Sequence, residues 1–167
     1  MEKPINKAEK IINGIANFQQ LLSNFALIFI MSIITFDVLG RNMMNKPLKG
    51  TYEMTELGAA LLVFLALAIT HRKDEHITID FVVDLLPAKV RHIINGIVEL
   101  IIVAVVLLMS QHIFNNGLRM MERKTTTTDL SITVYPFLFI ITITLVVFAL
   151  MAIIKAISYF RMAVNKE

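Results

Sequence analysis

Four stretches of this chain carry no charged side chain: Ile11–Phe36, Leu57–Thr70, Leu100–Leu118 and Leu130–Ile154, of 26, 14, 19 and 25 residues. The hydrocarbon core of a bilayer is about 30 Å thick and takes about 20 predominantly apolar helical residues to cross. The first and fourth stretches span outright, and the third does so once extended back toward Ile93. The second reaches spanning length if its helix starts near Thr51 and carries Glu53 and Glu56 at the membrane boundary, where water or a partner reaches them. With 56% apolar and 17% charged residues, the apolar share exceeds the roughly 45–50% of soluble domains, which excludes an ordinary soluble enzyme. The expected fold is an all-α integral membrane protein. It is one domain over residues 1–167, with four transmembrane helices at about 15–40, 51–71, 93–118 and 130–155.

The formal net charge of +3 and a pI near 9.3 do not indicate nucleic acid, because the basic residues never gather beyond the pairs Arg72-Lys73 and Arg123-Lys124. They report orientation instead. Ten of them fall in the N-terminal tail, the second loop and the C-terminal tail, against six in the other two loops, so both termini are expected in the cytoplasm. The chain has no cysteine, so a thiol nucleophile, a disulfide and thiolate metal or iron–sulfur sites are ruled out. Lys3, Lys7 and Lys10 before an apolar stretch resemble a signal peptide. That stretch is too long for one and lacks a small-x-small cleavage site, so a retained first helix is expected.

Polar residues within this frame mark the candidate structural and interface positions. Asp37 and Arg41 stand four apart at the end of the first helix, acid first, the favourable order for an intrahelical pair. A structural pair at the membrane edge is the expected reading. The sharper alternative is that Arg41 also meets Glu53 or Glu56 across the short Lys46–Gly50 turn, tying the first helix to the second, because such charges are expensive to leave unpaired in a half-dry setting. The second helix carries Gly58, Ala59, Ala60, Ala66 and Ala68, small residues that let backbones approach, although no GxxxG spacing occurs. Between the second and third helices, HRKDEHITIDFVVDLLP opens charged and becomes apolar apart from Thr78, Asp80 and Asp84. It fits a short amphipathic interfacial helix at about 77–86, ended by Pro87, whose acidic polar face favours packing on protein over anionic lipid. His76 and Asp80, with His71 nearby, have metal-like spacing but lack a third ligand at helical spacing, so a capped or salt-bridged helix is expected there and no metal or other cofactor. The string TTTTD at Thr125–Asp129 offers N-caps for the fourth helix, and Pro136 lies within its first two turns.

Function is then constrained by what the spans contain. Around mid-membrane, near Phe25, Val63, Val106 and Ile143, the residues are apolar, with no Gly-Pro interruption and no inverted repeat. A stand-alone ion-coupled transporter needs polar or broken helices at that depth. Glu99 and His112 are the titratable groups within the third span; no basic residue is expected deep in another helix to answer Glu99, so solvation at the cytoplasmic boundary is its expected reading. A scaffold or partner for another membrane protein is therefore the most economical reading. The alternatives are a haem- or quinone-binding anchor subunit of a respiratory complex, which would need a second histidine at matched depth, and a small homodimeric exporter built around Glu99.

The string FDVLGRN at Phe36–Asn42, the Gly50-x-x-Glu53 turn, HITIDFVVDLLP at His76–Pro87 and TTTTDLSITVYPF at Thr125–Phe137 together resemble the small membrane subunit (DctQ or SiaQ type) of tripartite ATP-independent periplasmic (TRAP) transporters. The resemblance runs from the first helix to the fourth, and the second-loop string, similar to an H-I-x-V-D … L-P pattern, is its most specific part. The Pro-x-Trp often found before the fourth helix is replaced here by Thr133-Val134-Tyr135. The resemblance implies a bacterial inner-membrane scaffold subunit. Its partners would be a large sodium-coupled membrane subunit of the DctM or SiaM type and a periplasmic binding protein that captures an organic acid, of the C4-dicarboxylate or sialic acid kind. It carries Asp37, Arg41 and Glu53 onto the outer motif and His76 and Asp80 onto the inner one, as structural or interface positions.

Overall fold

A computed structural model describes residues 7–72 and 87–164. These form four helices: α1 (Lys7–Met44), α2 (Thr51–Arg72), α3 (Ala88–Glu122) and α4 (Tyr135–Val164). Each is long and apolar enough to cross a membrane, and the chain is a multi-pass helical membrane protein. The expected interfacial helix at 77–86 lies outside the described residues, as do His76 and Asp80. The start of α1, the end of α2, the start of α3 and the end of α4 lie at one end of the bundle, called here the terminal end. The turn at 45–50 and the segment 123–134 lie at the other, the loop end.

Helix α2 begins at the expected Thr51, and its 22 residues make about 33 Å, one membrane thickness. The other helices overrun their expected bounds. At 1.5 Å per residue the 38 residues of α1 and the 35 of α3 run to about 57 and 52 Å. Each therefore projects past the hydrocarbon or tilts within it. Lys, Arg and Glu are good helix formers, so the charges that bound an apolar stretch do not end its helix. Helix α4 departs in both directions, starting at Tyr135 rather than near 130 and continuing to Val164 rather than 155. Its late start has a local cause. Thr126 and Thr133 bridge antiparallel, the Thr127 amide donates to the Ile132 carbonyl at 2.9 Å, and the Thr127 hydroxyl accepts the Ile132 amide at 3.0 Å. The TTTTD string thus closes its own tight turn and does not cap α4. Pro136 stands second in the helix, where its missing amide has no intrahelical acceptor to leave unsatisfied.

Helix α4 is the centre of the bundle. It packs on α3, α2 and more lightly α1, while α1 packs mainly on α2. Lipid supplies no hydrophobic drive between helices, so close approach has to do the work. Ala149, Ala152, Ala156 and Ala163 of α4 are buried, and Leu145 is 1% exposed. Ala68 of α2 and Val106 of α3 pack into the same core as Leu145 and Phe148. On the α1–α2 contact, Gly58 lies against Ile30 so closely that a Cβ there would crowd the Ile30 side chain, which is the use the small stretch of α2 serves. The outward faces of α1 and α3 are broadly apolar and exposed.

Candidate functional site

The buried carboxylates among the described residues gather at two junctions, one at each end of the helices. At the loop end, α1 is closed by Asn45 in the left-handed region (φ 51°), which Asn tolerates better than most residues. The chain turns back, and the Lys46 amide donates to the Gly40 carbonyl at 3.3 Å. Asp37 is buried and fixes this turn: its Oδ1 accepts the Leu48 amide at 2.9 Å and its Oδ2 accepts the Arg41 Nε at 2.8 Å. The expected Asp37–Arg41 pair is thus present, but the Arg41 side chain is 63% exposed, and exposed pairs contribute only about 0–1 kcal/mol. The Leu48 amide matters more, because it is stranded without the carboxylate. Asp37→Ala is expected to lower stability by about 2 kcal/mol, against less than about 1 kcal/mol for Arg41→Ala. Thermal unfolding of the detergent-solubilised variants checks the order, and equal losses would contradict it.

Glu53 does not join that pair, so the alternative of a tie from Arg41 to Glu53 is not what forms. Buried in the first turn of α2, it points across to the segment before α4. There its Oε1 accepts the Asp129 amide at 2.6 Å and its Oε2 the Leu130 amide at 3.0 Å. Two successive backbone amides form a fork that satisfies both carboxylate oxygens, and no cation has to be stripped of water to meet them. Glu56, three residues on, is exposed. Leu130 also packs onto Gly50, which sits at φ 75°, so closely that any Cβ there would overlap its side chain. Glu53→Gln keeps the shape but replaces one charged acceptor with a donor facing an N–H, an expected loss of about 2 kcal/mol. The loss should disappear in a hydrogen-exchange comparison everywhere except residues 123–134 and the start of α2. Uniform loosening of the whole bundle would count against this assignment.

The junction at the terminal end corrects an expectation. Glu99 of α3 is answered by a basic residue: Lys155 of α4 places its Nζ 3.3 Å from Oε1, and His71 at the end of α2 places its Nε2 2.9 Å from Oε2. The side chains of His71 and Glu99 are 4% and 7% exposed and that of Lys155 is 22% exposed. Lys155 Nζ also donates to the His71 carbonyl at 3.3 Å, placing a cation on the carbonyl end of α2, where the helix dipole favours it. The His71 ring meets Phe148 edge-on at 4.8 Å, and His92 stacks on Tyr159 at 6.3 Å. Three helices thus converge on one carboxylate. Lys155 reads as part of a C-terminal tail when the fourth helix is started at 130. Counted from Tyr135, it lies 20 residues in, about one membrane thickness, and that count is the signal that could have found it. The exporter alternative relied on Glu99 as a carboxylate inside a span, and here that carboxylate faces Lys155 at 3.3 Å and lies 2.9 Å from the His71 ring.

Between the junctions the buried hydroxyls bond to helix carbonyls. Ser23 donates to Leu62 across α1 and α2 at 3.1 Å, Ser110 to Thr142 across α3 and α4 at 3.4 Å, and Thr144 to Ile141 within α4 at 2.7 Å. Chemically, both junctions can hold helix ends together and present surfaces.

Residues 30–162 match the family model described as tripartite ATP-independent periplasmic transporters, DctQ component. The sialic acid TRAP transporter permease protein SiaT of Haemophilus influenzae (strain 86-028NP) is 30% identical over 100 residues, covering 60% of this chain. The chain spans only a small part of that relative, the matched region being 15% of its length. Asp37, Glu53, Glu99 and Lys155, which tie the helices together at both ends, all fall inside the family match. This chain therefore belongs to the DctQ component family of the tripartite ATP-independent periplasmic transporters.

Proposed function

We propose that this chain is the small scaffold subunit of a sodium-dependent TRAP transporter in a bacterial inner membrane, with its terminal end cytoplasmic and its loop end periplasmic. In this reading a large membrane subunit of the DctM or SiaM type carries the substrate and sodium sites and moves them. A periplasmic binding protein delivers an organic acid, of the sialic acid or C4-dicarboxylate kind, and this chain widens and steadies the stationary part. The relative named as a sialic acid TRAP permease favours the sialic acid kind.

The observation that carries the reading is where the described polar groups are used. Glu53 and Asp37 are consumed by backbone amides at one end and Glu99 by Lys155 and His71 at the other. The core between them is built from residues such as Ala68, Val106, Ile141, Leu145 and Phe148. A bundle braced at both ends, whose middle holds hydroxyls but no charged side chain among the described residues, suits holding a neighbour better than passing a solute. Deleting this protein from its host is expected to abolish uptake of the organic acid, while proteoliposomes containing the purified chain alone transport nothing. Gentle extraction of a tagged copy should recover a much larger polytopic protein in equal amount. Sodium-driven uptake by the chain alone would refute the scaffold role.

A further inference from the structure

At the loop end the 45–50 turn doubles back beside the last turns of α1 and leaves a cleft of about 770 Å³ between them, within the range of roughly 300–1,000 Å³ typical of small-ligand sites. Its walls include Ile33, Phe36, Leu39, Met43, Leu48 and Met54, and Lys46 and Lys49 line it as well. The vertical order of these residues is informative. Ile33 and Phe36 end the first uncharged stretch and Asp37 is the first charge after it, so one part of the cleft faces hydrocarbon and the other, with both lysines exposed, stands at the level of the headgroups. Phe36 is 63% exposed, leaving an apolar wall open from the membrane side. Arg41 is balanced by Asp37 at 2.8 Å, so Lys46 and Lys49 give this rim an excess of positive charge.

A water-soluble anion would meet the two lysines but find apolar walls below them, and an uncharged lipid would fill the walls but leave the lysines unanswered. One class of molecule matches both halves in this order. We propose that the cleft holds an anionic phospholipid of the leaflet at the loop end, one acyl chain running along Ile33 and Phe36 and the phosphate lying between Lys46 and Lys49. Lysines beside an anionic headgroup favour it over a zwitterionic one, and long aliphatic lysine stems cover the upper part of the chain while their charges stay in the wet layer. The assignment uses the shape and charge of the loop end alone and does not depend on the transport reading.

The chain has no tryptophan, so one introduced tryptophan reports without background. Phe36→Trp places it in the cleft beside the acyl chain, and Ile33→Trp is a second reporter in case the larger ring at 36 fills the site. Leu108→Trp, on the 67% exposed face of α3, reports ordinary boundary lipid. Each full-length protein is reconstituted in vesicles containing brominated phosphatidylglycerol or brominated phosphatidylcholine, its helical content checked by circular dichroism, and quenching is compared. Phosphatidylglycerol is expected to be preferred on the order of fivefold at positions 36 and 33 and not at position 108. Lys46→Glu combined with Lys49→Glu should abolish the preference, and inorganic phosphate should not compete. The proposal is overturned by equal quenching at all three positions, or by a preference that survives the double charge reversal. Competition by inorganic phosphate as effective as that by lipid, which would make this a free-anion site, overturns it too.

Discussion

Glu99→Ala is expected to be the most damaging single substitution in this protein outside its apolar core, lowering stability by about 3 kcal/mol. Removing one partner of a buried ion pair leaves the other charge uncompensated, which costs about 3–5 kcal/mol. The lower end applies because the Lys155 side chain is 22% exposed and can carry its charge part of the way to boundary water. Lys155 also holds the His71 carbonyl at 3.3 Å, so the end of α2 should loosen together with the α3–α4 contact. The matching test is the paired replacement Glu99→Leu with Lys155→Met, which removes both charges and keeps the volume, and buried pairs replaced in this way are often neutral or stabilising. Thermal unfolding in detergent should show the single variants falling and the pair recovering most of the loss. A pair as unstable as the sum of its single variants would mean that the two side chains do not act on each other.

Gly50→Ala is the second large effect, and it acts through two separable causes. The backbone at Gly50 has φ 75°, a conformation that costs a side chain about 1–2 kcal/mol. The new methyl would also overlap the Leu130 side chain, and overpacking of this kind costs typically about 1–3 kcal/mol. A total near 3 kcal/mol follows from these two ranges. Leu130 donates its amide to Glu53 at 3.0 Å, so pushing it away also strains the tie between α2 and the segment before α4. Adding Leu130→Ala to Gly50→Ala should remove the overlap and leave the backbone cost, giving a double variant less unstable than the two single losses combined. Strict additivity in a thermal-unfolding cycle would show that Gly50 and Leu130 do not meet.

Asp37 illustrates what a linear reading can reach. Its pairing with Arg41 follows from a spacing of four on one helix, but its bond to the Leu48 amide, eleven residues away, depends on how the turn closes. Thr125–Asp129 shows the opposite case. Thr and Asp are good caps in isolation, yet here the Thr127 hydroxyl and the Thr126–Thr133 bridge serve a tight turn of their own. They present two amides to Glu53, 76 and 77 residues away.

The span count, the helical class and the start of α2 were legible because solubility in hydrocarbon is a property of each segment by itself: about 20 residues without charge must cross as a helix, whatever its neighbours do. Which carboxylate meets which partner was not legible, because that depends on the depth and rotation of helices that touch only after packing. Glu53 turns to an amide fork rather than to Arg41, and Lys155 reaches Glu99 only because α4 begins late and stays helical past the boundary. Tertiary structure decides such pairings because the cost of a dry, unpaired charge is set by whatever surrounds it in space.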